Sequence, residues 1–134
     1  MIRTKSIQSP IDRKNDGLRV LVARFRGRGL PKGAYDAWMP NLGPSEELLR
    51  AVQSGAVTWA EFQKRYRDEL FEAAPIDARN QTIKNHGQKF TLRLLNVLAE
   101  AGPVTLMCRC AEDETRCHRF VLQELLKRSD LAAK

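Results

Sequence analysis

Long apolar runs are missing from this chain: no stretch of its 134 residues approaches the roughly 18 consecutive apolar positions of a helical membrane span. The opening segment MIRTKSIQSP also lacks the apolar core of a secretion signal. Together these absences set the expectation of a cytoplasmic protein with no membrane partner. Cysteine is scarce and unevenly placed. Cys108, Cys110 and Cys117 fall within ten positions of one another, whereas a disulfide framework spreads an even number of cysteines through a small secreted chain. Reduced thiols are therefore expected. There is no internal repeat and no low-complexity segment.

Acidic residues are nearly absent from the first quarter. Residues 1–33 hold nine Lys and Arg against Asp12 and Asp16, while residues 34–134 hold fourteen of each sign, so the whole net charge of +7 resides in the N-terminal segment. Such a segment attracts phosphates or nucleic acid, although charge clusters are commonly just solvated surface. With 43% hydrophobic residues the chain can bury a core without metal or disulfide, and residues 1–134 read as a single α/β domain.

Residues 19–25, Arg-Val-Leu-Val-Ala-Arg-Phe, follow Asp16-Gly17 and read as a buried strand; a weaker strand covers 2–7. Ser9-Pro10 between them suggests an N-cap and one helical turn. After the Gly- and Pro-containing stretch 27–33, Ser45 can cap a helix through about Val52, and Thr58-Trp-Ala-Glu61 matches a capping box. Phe62, Tyr66, Leu70 and Ala73 then repeat at helical spacing as a core stripe. A further helix runs to Ala101, with Phe90, Leu94, Val97 and Leu98 as its expected buried side and Gly102 ending it in a left-handed conformation. Val104–Cys108 is the clearest strand. The closing helix starts near Cys117 and buries Val121, Leu122, Leu125 and Leu126. Strand and helix alternate at both ends, which predicts a small, mainly parallel sheet with helices on its faces.

The segment from Met107 to Arg119 leaves the carboxyl end of a strand and enters the amino end of a helix, where free N–H groups and the helix dipole favour anions. Arg116, His118 and Arg119 would stand around that end, unless the arginines simply pair with Glu112, Asp113 or Glu114. Cysteine at a helix N-terminus beside arginine acidifies, making Cys108 and Cys117 candidate nucleophiles. Cys110 and Arg116 stand at the C-x5-R spacing of phosphatase and rhodanese loops, but Glu-Asp-Glu inside that loop would repel an oxyanion. Cys108, Cys110, Cys117 and His118 supply four soft ligands of the kind zinc takes, at a spacing that lacks C-x2-C pairs. Adjacent Cys117 and His118 would point in different directions on a helix, so stoichiometric zinc is not expected and no cofactor is assigned. Buried structural thiols are the ordinary alternative.

Asp16-Gly17 with Arg19-Val-Leu-Val, Arg24, Arg28 and Gly29 carries a family resemblance. So do Tyr35-Asp-Ala-Trp38, Leu42-Gly-Pro-Ser45 with Glu47-Leu, Trp59, Glu61-Phe62, Arg65-Tyr66, Gly102-Pro-Val-Thr-Leu and the terminal Cys-His-Arg. In these residues the chain resembles the short, YeaO-like members of the family called domain of unknown function 488. The resemblance spans almost the whole sequence and implies a three-layer α/β sandwich with an undefined activity. Members often carry an acidic residue and a Trp-Pro pair where this chain has Ala23 and Arg26-Gly27. The cysteine loop is about one residue longer than in the family, and some short members lack the cysteines, so no universal thiol or metal mechanism is implied.

If the two long strands are parallel, Arg24, Arg26 and Arg28 share one crevice with Cys108, His118, Arg116 and Arg119, and Tyr35 and Trp38 could stack a base or merely pack. Three functions compete: a binding domain for a phosphate-bearing ligand (nucleotide or nucleic acid), an enzyme acting on such a ligand through Cys117 or His118, and an interaction protein with no ligand.

Overall fold

The computed structural model describes residues 1–31, 33–77 and 80–128, and the side chains of all of these except 73–77 and 80–86. Lys32 of the basic segment and residues 129–134 of the expected domain lie outside the described residues. In chain order the elements are β1 (Ile2–Ser6), α1 (Arg13–Asp16), β2 (Leu18–Leu21), β3 (Ala37–Trp38), a 3-10 turn at Pro40–Leu42, α2 (Glu46–Gln53), α3 (Trp59–Phe71), β4 (Ala73–Asp77), β5 (Asn80–His86), α4 (Lys89–Ala101), β6 (Val104–Cys108) and α5 (His118–Lys127).

Four strands form a parallel sheet in the order β1-β6-β2-β3, with the β-branched and apolar strand β6 paired on both sides. The register sets Met107 beside both Lys5 and Leu21. Alternation then divides the side chains between two faces. Val20, Val22, Val104 and Leu106 face the main core, against Leu48 of α2, Phe62, Tyr66 and Leu70 of α3, Leu92 and Leu95 of α4, and Val121, Leu122, Leu125 and Leu126 of α5. Leu21, Ala23 and Met107 face the other way, where Ile7, Leu30 and Tyr35 cover them. The fold is thus an α/β sandwich whose second outer layer is thin, made of loop segments.

Two ion pairs anchor that second side. Lys5 Nζ lies 3.1 and 3.0 Å from the two carboxylate oxygens of the buried Asp16. The Arg19 N–H and guanidinium donate to Asp36 at 2.8 and 3.1 Å, and the Asp36 N–H returns a 2.8 Å bond to the Arg19 carbonyl. This clamp brings residue 36 beside β2 and so sets the pairing of β3, Val20 with Ala37.

Caps behave as their chemistry requires: Ser45 accepts from the Leu48 N–H and Thr58 from the Glu61 N–H. Several expectations need correction. Strand 19–25 is shorter, because after Leu21 only the Val22 N–H still reaches the ladder, at the Met107 carbonyl, before the chain turns away. The helix between the first strands is capped by Asp12, not Ser9. Gly102 is extended and not left-handed. Helix α3 stops at Phe71, so Ala73 opens β4, half of an antiparallel β4–β5 pair that helical periodicity did not suggest.

The largest correction concerns α4. Phe90, Leu94, Val97 and Leu98 are exposed, and Leu92 and Leu95 are the buried positions. The helix is apolar around most of its circumference, so two stripes compete, and packing selects the one that fits β6 and α5. We expect Leu95→Ala to cost about 2–5 kcal/mol by cavity formation and Leu94→Ala less than about 0.5 kcal/mol. Urea unfolding of the two variants checks the assignment.

The turn from α1 into β2 requires Gly17. Its φ is +60°, and a Cβ there would stand 2.0 Å from the Pro103 carbonyl oxygen, a backbone atom that cannot yield. Gly17→Ala should lower stability by at least about 1–3 kcal/mol, the cost of a strained backbone site, measured by the same unfolding experiment. Asp36 gives a pH signature. The N–H and guanidinium of Arg19 hold its carboxyl below the usual value of 3.8, so folding favours the charged form. That stability is present above pH 3.8 and is lost as pH falls through the lower folded value. Asp36→Asn should therefore melt earlier at neutral pH and show a flatter decline of Tm through the acid range than the parent.

Candidate functional site

Because β2 and β6 are parallel neighbours, the segments that follow them leave the sheet at one edge. Two contacts then tie those segments together. His118, the first residue of α5, places Nε2 2.8 Å from the Val22 carbonyl, and Arg109 donates from Nη1 to the Arg26 carbonyl at 2.6 Å. Gly27 makes room for the second contact: its φ is +79°, and a Cβ would fall 1.3 Å from Arg109 Nη1.

Cys108 ends the central strand, Cys117 is the N-cap of α5, and Cys110 lies on the loop between them. Their three sulfurs all lie within 4.8 Å of one another, and the Cys108 and Cys117 sulfurs are 3.0 Å apart. Cys108 and Cys117 are buried while Cys110 is half-buried. Hydrogen bonds from Cys108 and then Cys117 favour the Cys110 thiolate and pull its pKa down to about 2; the same bond with Cys110 pushes Cys108 up to about 11. Cys117 is raised as well, first by Cys108 and then by Cys110. Of the three thiols, Cys110 is thus the one whose surroundings favour ionisation.

His118 is held by a bond that fixes its tautomer. A carbonyl only accepts, so Nε2 carries the proton, and Nδ1 presents its lone pair 3.9 Å from the Cys117 sulfur. Burial lowers the pKa of the ring and keeps it neutral, against the opposing pull of the Val22 carbonyl. Tyr66 packs edge-on against it at 5.7 Å. Cys117 is an extended N-cap residue outside the helix proper, which lets its sulfur come within 3.9 Å of His118 Nδ1, while His118 stays outside the group of three close sulfurs.

Arg119 is 1% exposed, an unusual burial for a guanidinium. Nη2 donates to the Ala111 and Glu112 carbonyls at 3.3 and 3.2 Å, the guanidinium carbon lies 4.8 Å from the Phe120 ring centroid, and Nε and Nη1 have no hydrogen-bond partner among the described residues. Its charge is felt at Cys108, Cys110 and His118. The carboxylate of Glu112 turns the other way, accepting from the Ser6 N–H at 2.5 Å and the Ser9 hydroxyl at 2.9 Å. Burial raises its pKa, but these two bonds together with the nearby charges of Arg119 and Lys5 outweigh that effect and hold it low.

The remaining residues divide into engaged and exposed. Arg24 donates to the Pro44 and Gly43 carbonyls at 2.8 Å each, which ties it to the start of α2. Arg26 donates to the Tyr35 hydroxyl, Tyr35 packs on the second face of the sheet, and the Trp38 indole N–H is bound to the Ala23 carbonyl. Arg28 and Arg116 are exposed, and neither Arg116 nor Arg119 forms an ion pair among the described residues. Sequence reasoning overlooked Arg109 and the destination of Glu112. The position of Arg109 between two cysteines at a strand end was the available signal.

A family profile described as "DUF488-N3a: Active DUF488-N3 subclade" matches residues 2–130. The chain is 30% identical over 128 residues to an uncharacterised Escherichia coli protein named YeaO, covering 94% of this chain and 96% of that one. It is 29% identical over 127 residues to the uncharacterised Mycobacterium tuberculosis protein Rv3073c, covering 93% and 92%. No solved structure matches significantly. With its profile match running nearly end to end, the chain belongs to the DUF488 family, within the DUF488-N3 subclade.

Proposed function

We infer that the chain binds a phosphate-bearing ligand, a nucleotide or nucleic acid, along the carboxyl edge of its parallel sheet. The observation that carries this reading is the joining of two arginine-bearing segments at one edge: Arg26 and Arg28 after β2, Arg109 and Arg116 after β6. Helix α5 begins at the same edge with no acidic residue in its first turn, which adds a favourable dipole. Side chains of this kind contact phosphates and sugars, and positioning of that sort is largely independent of base sequence.

A second reading, an enzyme acting on such a ligand, is favoured by the orientation of His118. Its unprotonated Nδ1 faces the Cys117 sulfur, the placement of a base beside a thiol. The word "active" in the description of the matching subclade agrees with it.

Fluorescence anisotropy with labelled duplexes of two unrelated sequences tests the first reading. Affinity should be equal for both and fall log-linearly with salt, with a slope of about −0.9 per phosphate neutralised. Replacing Arg26, Arg28, Arg109 and Arg116 by Gln should weaken both equally and reduce the slope by about 1 per arginine engaged. Unchanged binding by this variant, with the parent's melting behaviour, removes the edge as the site. Chromatography of the ligand after incubation reads the second: conversion that disappears in His118→Gln while binding persists.

A further inference from the structure

We propose that Cys108, Cys110 and Cys117 bind one zinc ion as three thiolates, with the buried Arg119 guanidinium balancing the charge of the complex. This goes beyond the ligand-binding reading, which uses none of these groups except through the loop they share.

The spacing of the sulfurs is the first support. Zinc–sulfur bonds of about 2.3 Å in a tetrahedral site place ligand sulfurs about 3.8 Å apart. Here all three lie within 4.8 Å of one another, so closure needs only small shifts of about an ångström or less, chiefly an opening of the 3.0 Å separation between Cys108 and Cys117. Two of the ligands sit on rigid elements, one at a strand end and one at a helix N-cap, and the half-buried Cys110 provides an entry side.

Charge is the second and independent support. Three thiolates and one Zn²⁺ carry a net −1, the thiol protons being released to solvent on binding. Arg119, 1% exposed and with Nε and Nη1 lacking hydrogen-bond partners, supplies +1 without an ion pair to an acidic side chain among the described residues. A buried cation of this kind is costly unless an anion offsets it. His118 is oriented by the Val22 carbonyl with Nδ1 on the Cys117 side, outside the group of three mutually close sulfurs. The fourth coordination place is thereby left to a group other than these side chains, entering on the side of the half-buried Cys110. The sequence argument against zinc rested on linear spacing and on the divergence of Cys117 and His118; the fold answers the first by bringing the three sulfurs together, and the site proposed here does without His118.

The test uses untagged full-length protein under a non-thiol reductant, loaded with excess zinc or cobalt and desalted. One metal per chain is expected by elemental analysis, with sulfur-to-cobalt charge-transfer absorption in the cobalt form and a Tm that rises with added zinc. Cys110→Ser, at the most accessible ligand, should lose the stoichiometric metal and the zinc-dependent rise in Tm while retaining the far-ultraviolet dichroism of the parent. Arg119→Gln should weaken zinc about 10- to 100-fold in competition with a chromophoric chelator, and Arg119→Lys should recover most of that loss by restoring the charge. Less than about a tenth of a metal ion per chain after loading, or retention of full metal in Cys110→Ser, overturns the proposal. Because the arginine-to-glutamine variant of the edge leaves the cysteines intact, its metal content separates failure of this site from failure of ligand binding.

Discussion

Strand β6 has a hydrogen-bonded neighbour on each side, and its five residues are all buried. Its two ladders fix where β1 and β2 end, so they fix where the next segments emerge. The last ladder positions pass directly into the carboxyl edge of the sheet: the Met107 carbonyl accepts the Val22 N–H, and the Cys108 carbonyl accepts the Ile7 N–H. Val22 and Ile7 each stand one residue beyond their regular strands. The Val22 carbonyl then receives His118, so the beginning of α5 is keyed to the end of β2 across β6. The position of the cysteines follows from this pairing, since Cys108 is the final residue of the strand and Cys117 the residue before His118.

What could be read from the sequence was whatever depends on local chemistry. The run Val-Thr-Leu-Met-Cys has no reading except a buried strand, and the hydroxyls of Ser45 and Thr58 mark helix starts wherever the chain lies. The parallel edge was legible because alternating strands and helices leave few topologies. Helix α4 was not legible in its orientation: the inward side of a helix can be read only where a polar face opposes it, and six apolar side chains from Phe90 to Leu98 provide two plausible inward sides. Strand β3 is two residues long and exists because Asp36 grips Arg19, a long-range contact without a periodic signature. The 3.9 Å approach of the Cys117 sulfur to His118 Nδ1 has a related cause. The step of about 100° between neighbours applies within a helix, and a cap residue in extended conformation does not obey it.

Buried charge is treated differently on the two sides of the molecule. Lys5 and Arg19 lie under the thin outer layer and each meets a carboxylate directly, Asp16 and Asp36. Such pairs roughly offset their own desolvation and are best regarded as fixing register. Arg119, on the edge itself, meets only two backbone carbonyls and the face of Phe120 among the described residues. The acid seven residues before it, Glu112, is drawn off by Ser6 and Ser9 to close the end of β1. The loop thus holds this carboxylate out of a direct ion pair with the guanidinium, whose charge is felt at Glu112 as well as at Cys108 and Cys110.

Site and scaffold are consequently separable in this fold. The sheet and the helices over its main face depend on apolar packing that any sequence of the right pattern supplies, and function in such folds resides in the loops at the strand ends. Here those loops are held by a few polar contacts, His118 to Val22, Arg109 to Arg26 and Glu112 to Ser6 and Ser9, instead of by a large apolar interface. Substitution of loop residues can therefore alter the chemistry at this edge without disturbing the core. The cysteines illustrate the point. Cys110 belongs to no helix or strand, yet its thiol is the one shifted toward ionisation, because the two elements beside it present Cys108 and Cys117 as donors. A rigid frame that brings two thiols to a third on a loop is sufficient to gather three soft donors at one point, within the field of a buried guanidinium.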